Sequence, residues 1–365
     1  MLQNTLTELA RVIRDSLPND LGSVATTAKE LSLAFTSERA AREADYMSSP
    51  EKLAAYVAAF LLPNAVKVAR CLGQIPMPAE GRPVSVLDIG AGPGTAALAA
   101  SCFFAAKRPG AEVRIAAIDR SRKALELAHR LFKLVAPPEH LLESAAAEIG
   151  QRGTSGILGG HRFDVIVMAN FLNEMSDERS ACDLCHELVS KHLDPAGSLI
   201  IIDTALRETT RPIMALRDRL VGEGIASVAA PCLHQMSCPM LAANERDWCH
   251  FYIDWERPEY LVKLDELSGM DHRHLKMSYM IFRQVEAKAE REELSRVVSS
   301  PLDSKGKREL VLCTSGGKLQ RVRRLAKEAS DVNRAFDSVK RGDLVRCGSA
   351  DRIRCEDPFV IESAW

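Results

Sequence analysis

Cys232, Cys238 and Cys249 lie in the stretch APCLHQMSCPMLAANERDWCHF, separated by five and then ten residues. Pro231, Pro239 and Asn244 discourage a regular helix there, and no apolar periodicity accounts for the thiols. Thiolates are soft ligands that suit zinc or an iron–sulfur centre, and three of them need a fourth donor. His234, His250 or a distant cysteine can supply it; Cys313, at the end of the strand-like run ELVLC, is a good candidate because a strand end holds its thiol rigidly. Plain reduced thiols are the third reading. The chain holds ten cysteines, and none is expected in a disulfide if the compartment is reducing. Cys347 and Cys355 remain as substitute ligands, whereas Cys71 and Cys102 read as helix-face core residues. CDLCH at 182–186 matches a haem-attachment spacing. It sits in the amphipathic run SDERSACDLCHELVSKHL, so thiols of a helix face are expected instead.

The second candidate site is VLDIGAGPGTAALAA, in which Gly90, Gly92 and Gly94 follow Asp88 between a buried strand and a helix. Glycines there permit a tight turn and let backbone N–H groups approach a ligand. The spacing is GxGxG rather than the GxGxxG of dinucleotide sites, and the next strand ends at Asp119, placed to accept from ribose hydroxyls. Asp88, the three glycines and Asp119 resemble the first two motifs of class I S-adenosylmethionine-dependent methyltransferases. The resemblance implies that the turn lies against the cofactor's methionine and ribose, and that Asp119 takes the ribose. After the fourth strand comes MANFLNEM, where Asn170 and Glu174 are the polar groups; Asn170 is assigned to the cofactor pocket. Both are weak catalytic candidates, since the Asn-Pro-Pro-aromatic motif of base amino methylation is absent and no Pro-Cys follows this strand. No catalytic residue is assigned.

The elements that must hold these groups follow from periodicity. Leu2, Leu6, Leu9, Val12 and Ile13 share one helical stripe, and residues 1–80 read as a helical region. Ser49-Pro50 starts a helix that Pro63 should kink or split. The apolar run around Pro63, LAAYVAAFLLPNAV, is too short to span a bilayer, and Glu8 and Asp15 do not suit a leader; a cytoplasmic protein without a membrane partner is expected. Across 81–228, VSVLDIG, VRIAAID, FDVIVMA and GSLIIIDT alternate with helices as parallel strands do, with a weakly marked third strand near HLLES. Residues 229–256 form the cysteine-rich insertion. In 257–290, LKMSYMIFRQV returns to the sheet as an antiparallel edge. Residues 291–365 are expected to form a small, barrel-like β module, with a hairpin at Ser315-Gly316-Gly317 and a strand at GDLVRC. The fold class is therefore α/β: a doubly wound, Rossmann-like methyltransferase sheet with three appended parts.

Formal net charge is −1, yet Pro301–Arg354 carries 14 Lys and Arg against 7 Asp and Glu. That excess suits a polyanion, and Lys305, Lys307, Arg308, Lys318, Arg321, Arg323, Arg324, Lys340 and Arg341 are the candidate RNA contacts. Aromatics for base stacking are scarce within this region.

PCLHQMSCPM, DWCHF, HLKMSYMIFR and LVLCTSGGKLQRV, with AYVAAFLLP near the N-terminus, resemble the methyltransferase-like assembly factors of the mitochondrial small ribosomal subunit and their bacterial relatives. The resemblance covers most of the chain. It implies a [4Fe-4S] cluster on Cys232, Cys238, Cys249 and Cys313 and a partner in the small ribosomal subunit and its rRNA; on thiolate chemistry zinc is the alternative to the cluster, and a monomer is expected. It also allows a catalytically inactive protein that binds S-adenosylmethionine and RNA. A small-molecule methyltransferase with a structural zinc is a further reading, which leaves the basic C-terminus unexplained.

Overall fold

The computed structural model describes residues 6–18, 20–36, 47, 49–149, 154–175, 177–284, 293–348 and 350–363. The chain divides into two compact units, Met1–Asp203 with Asp254–Leu275 and Thr204–Ile253 with Lys276–Trp365.

In the first unit, α1 (Thr7–Ser16) buries Leu9, Val12 and Ile13 as their spacing predicts, and Leu6 beside them; Leu2 lies outside the described residues. Helix α2 (Gly22–Phe35) follows. Helix α3 (Pro50–Leu72) begins where Ser49 caps it, its Oγ accepting from the Lys52 amide at 3.3 Å. Pro63 does not split this helix. A π-helical stretch at Val57–Leu61 precedes it, and the widened ladder accommodates a ring with no N–H to donate. At 23 residues α3 is, by length and composition alone, long and apolar enough to cross a membrane, contrary to the sequence expectation. Burial of 72% of its most apolar window marks it as a core helix.

Five strands follow: β1 (Val84–Ile89), β2 (Val113–Asp119), β3 (His140–Ala146), β4 (Phe163–Ala169) and β5 (Leu193–Asp203). They are parallel, in the order β3-β2-β1-β4-β5. Strand β1 is central and buried almost throughout, as its continuous apolar run requires, while the edge strand β3 is largely exposed or half-exposed. Helices α4 (Thr95–Lys107), α5 (Arg122–Val135) and α6 (Glu178–Glu187) lie in the crossovers. Cys182 and Cys185 are buried on α6, as a helix-face reading requires. Chain order reverses between β1 and β4, so the carboxyl ends of the strands carry Asp88, Asp119, Ala169 and Asp203 around the switch point where such sheets bind ligands.

The second unit begins with α7 (Arg207–Gly222) and β6 (Ser227–Ala230). The single helical turn α8 (Pro239–Ala243) and strands β7 (Phe251–Asp254) and β8 (His274–Arg283) follow. Strand β8 runs antiparallel to β6, with Val228 opposite Phe282, and also pairs with β7. Beyond it come β9 (Leu294–Val297), β10 (Leu302–Ser304), β11 (Lys307–Thr314), β12 (Leu319–Leu325), β13 (Leu344–Cys347), β14 (Arg352–Ile353) and β15 (Phe359–Ser363). Their order is β14-β12-β11-β9-β13-β15, with β10 on β11. Among the described residues this order has two ends, so the module is an open sheet rather than a closed barrel. Val297, Leu310, Leu312, Val322, Phe336 and Phe359 form its core. The β11–β12 hairpin closes through Thr314 N–H to the Lys318 carbonyl at 3.0 Å, with Gly317 at φ +67°.

Candidate functional site

The glycine turn joins β1 to α4, and all three glycines adopt positive φ: 69°, 51° and 84°. A Cβ on Gly90 would lie 2.5 Å from the Phe171 ring, and one on Gly94 would lie 2.8 Å from Ala128 Cβ. Asp119 fastens the turn from β2: one carboxylate oxygen accepts from the Gly92 amide at 2.8 Å, the other from the Ser121 amide at 2.8 Å. Two amides leave about half of a carboxylate's acceptor capacity open, and Asp119 is half-exposed. The residues thus fit a ligand with vicinal hydroxyls above a backbone cradle. Asp88 does a different job. It is buried and accepts from the Ala97 amide at 2.9 Å, tying β1 to the first turn of α4. Burial pushes its carboxyl up to about 7, and the charge on Asp119 adds to the shift.

At the end of β4, Asn170 holds φ +58° and its amide donates to the Ile202 carbonyl at 2.8 Å. Glu174 pairs with Arg120 at 3.3 Å. A polar group not singled out from the sequence lies in the same unit. The Tyr56 hydroxyl is approached by Thr95 and Asn64, and burial raises its pKa. Lys67 Nζ donates to Asn64 Oδ1 at 3.0 Å, and desolvation lowers its pKa to about 8 against the opposing pull of Asp203. Asp203 in turn accepts from the Asn173 side chain at 2.8 Å. A lysine so shifted gives up its proton more readily than an exposed one. Its signal in the sequence is the lone charge in the apolar run LPNAVKVA. A cavity of about 470 Å³ lies among Leu17, Val24, Leu53, Val57, Leu127 and Arg130, and none of these belongs to the glycine turn.

In the second unit the four candidate cysteines influence one another. Burial raises the Cys249 thiol well above its ordinary value, and Cys232, Cys238 and Cys313 raise it further. Burial pushes Cys313 up to about 12, with Cys232 and Cys238 contributing. His234 is buried, its Nδ1 3.1 Å from the Met236 carbonyl and its Nε2 3.6 Å from Cys313 Sγ. Gly317, in the hairpin just past Cys313, leaves room for Met236: a Cβ there would lie 2.7 Å from the Met236 methyl. The donor set is chemically right for a soft metal or cluster. Among the described residues, however, no group of three or more His, Cys, Asp or Glu side chains is arranged to hold a metal ion. Cys347 packs against the core of the C-terminal sheet and Cys355 is exposed.

Arginines hold the cysteine stretch. Arg217, on α7 and fully buried, donates to the carbonyls of His234 (2.6 Å) and Met236 and pairs with Asp218 at 2.7 Å. Asp218 accepts from the Cys238 amide at 2.9 Å. Further back on α7, Arg211 donates to the carbonyls of Asn244 (2.9 Å) and Asp247 (2.8 Å), and Met214 sulfur receives the Cys249 amide at 3.4 Å. Arg296 on β9 reaches the Pro231 carbonyl at 2.6 Å. Residues 211, 214, 217 and 218 share one helical stripe, a spacing the sequence does display.

The nine basic candidates separate. Lys305, Lys318, Arg321, Arg323 and Lys340 are exposed. Lys307 and Arg308 are half-buried in ion pairs with Glu309 (2.6 Å) and Asp303 (2.7 Å). Arg324 is buried, donating to the Asn333 carbonyl and side chain at 3.0 Å and pairing with Asp337, so it braces the module instead of offering a surface charge. Arg341 is half-buried and donates to the His250 carbonyl at 3.3 Å.

A search of curated proteins finds no match. Among solved structures the chain is similar to a putative class I S-adenosylmethionine-dependent methyltransferase of Listeria monocytogenes, at 12% identity over 73% of this chain and 70% of that one, TM-score 0.41. The methyltransferase domain of the citrinin polyketide synthase matches at 16% identity over 71% and 66%, TM-score 0.39. A methyltransferase of Agrobacterium tumefaciens matches at 16% identity over 63% and 64%, TM-score 0.37. The family model of the mitochondrial small ribosomal subunit protein Rsm22 matches residues 50–346, which take in the glycine turn, all four candidate cysteines and the β11–β12 hairpin. On that match the chain belongs to the Rsm22 family.

Proposed function

We propose that this protein binds S-adenosylmethionine at the glycine turn, carries a [4Fe-4S] cluster on Cys232, Cys238, Cys249 and Cys313, and acts on or helps assemble the small ribosomal subunit through its rRNA. The Asp119–Gly92 contact carries the cofactor reading, because it fixes an acceptor beside a turn in which Gly90 and Gly94 leave no room for a side chain. When bound, the cofactor supplies an electrophilic methyl group. Lys67, held by Asn64 and within the electrostatic pull of Asp203, is the group proposed to exchange an acceptor proton. Exposed Arg321 and Arg323, alternating with buried Val322 and Arg324 along β12, present a cationic face to phosphates.

The cluster reading draws support from the mutual influence of the four thiols and from the arginines that hold their backbone. The donors come from a loop and a hairpin more than sixty residues apart, so the cluster's role is architectural. Anaerobically purified Cys232→Ser is expected to lose most of its iron and sulfide and to become protease-sensitive in the C-terminal module. Unchanged iron, or zinc in its place in the parent protein, removes the cluster.

Calorimetric titration with S-adenosylmethionine tests the other site. Asp119→Ala is expected to weaken binding at least tenfold, consistent with loss of charge-assisted hydrogen bonds of about 1.5–3 kcal/mol. Labelled methyl transfer to small-subunit particles then separates an enzyme from a cofactor-dependent assembly protein.

A further inference from the structure

Immediately after Cys249, alternation along β7 points Phe251 and Ile253 inward, where both are buried, and leaves Tyr252 half-exposed on the other side. Outward positions on such a strand are ordinarily polar. Here they continue a row of rings. Trp248 stacks on His250 with centroids 5.1 Å apart and planes 28° from parallel, and His250 meets Tyr252 edge-on at 5.4 Å. The row is fixed in place: Trp248 Nε1 donates to the Ala205 carbonyl at 2.8 Å, and the Tyr252 hydroxyl lies 3.1 Å from His250 Nε2. Two cations accompany it. The Arg341 guanidinium stands 5.7 Å from the Tyr252 centroid and exposed Lys276 Nζ stands 5.9 Å from it. Arg341 Nε is buried with no hydrogen-bond partner among the described residues.

We propose that the Trp248–His250–Tyr252 row, flanked by Arg341 and Lys276, is a stacking site for an unpaired base of single-stranded RNA. Preorganised, half-exposed rings beside cations match what an unpaired nucleotide presents: a π-face and a phosphate. The inference rests on the RNA-binding reading above and gives it an element that the basic strands lack, since β11 and β12 carry no aromatic residue.

Anisotropy of a fluorescein-labelled 12-nucleotide oligo(A) RNA, alongside a labelled RNA duplex of equal length, tests the site in the full-length protein. Tyr252→Ala should weaken the single strand about tenfold, as loss of one stacked base does, and leave the duplex unchanged. Tyr252→Phe, which keeps the ring, should bind as the parent does. Lys276→Glu, an exposed change that the fold tolerates, should weaken the single strand about fivefold and lower its salt dependence. Parent protein that binds both RNAs, with Tyr252→Ala and Lys276→Glu unaltered toward the single strand, overturns the stacking site alone. Equal loss of duplex and single strand in Lys276→Glu also overturns it, in favour of a general phosphate contact. Parent protein that binds neither RNA overturns the RNA reading and this inference together.

Discussion

Arg217→Ala is expected to destabilise the protein by about 3–5 kcal/mol, the range seen when one partner of a buried, hydrogen-bonded charge is removed. The guanidinium is fully buried and serves the His234 and Met236 carbonyls together with Asp218. Each orphaned buried carbonyl costs about 1–3 kcal/mol, and Asp218, itself holding the Cys238 amide, loses its counter-charge. Arg217→Lys should recover only part of the loss, because an ammonium cannot fork between two carbonyls as the planar group does. Urea unfolding followed by circular dichroism reads the difference. A loss below about 1 kcal/mol for the alanine variant would mean the loop is held by something other than α7.

Gly94→Val carries the second large effect. A side chain at φ +84° costs roughly 1–2 kcal/mol from the backbone alone, and β-branching adds to it. A Cβ placed 2.8 Å from Ala128 Cβ forces α4 and α5 apart, an overpacking cost of about 1–3 kcal/mol. Together these predict about 2–5 kcal/mol and loss of S-adenosylmethionine binding. Gly81→Ala supplies the contrast: φ is +81°, but nothing lies within 4 Å of the new Cβ, so only the backbone cost should be felt. Similar melting temperatures for the two variants would place the whole effect in the dihedral angle.

The buried strands were legible because a continuous apolar run bounded by glycine and aspartate admits few other readings; β1, β2, β4 and β5 all follow that rule. Strand β3 was faint because it is an edge, and HLLESAA carries the exposed polar positions that edges tolerate. The three glycines, Asp88 and Asp119 were found through spacing, yet spacing did not disclose that Asp88 is a buried strut while Asp119 faces the turn. Arg324 was misjudged for a related reason: composition counts charge and is blind to the alternation that sends residue 324 inward and its neighbours outward. Asn173 and Asp203 meet only in three dimensions, and only there does Lys67 come under the pull of Asp203. The aromatic row is not legible in the sequence because its rings precede the basic segment by some fifty residues, and only folding sets Arg341 against Tyr252.

The widened turn at Val57–Leu61 has an effect on α3 beyond accommodating proline. A π-turn takes in about one residue more than an α-turn, so Tyr56 and Asn64, eight positions apart, come to the same side as residues seven apart do on an unbroken helix. A relative lacking one residue there can present the same tyrosine and asparagine from a plain α-ladder. Length differences of one at this point are therefore silent for the polar cluster, whereas a shift of one between Leu62 and Lys67 would rotate Lys67 by about 100° relative to Tyr56.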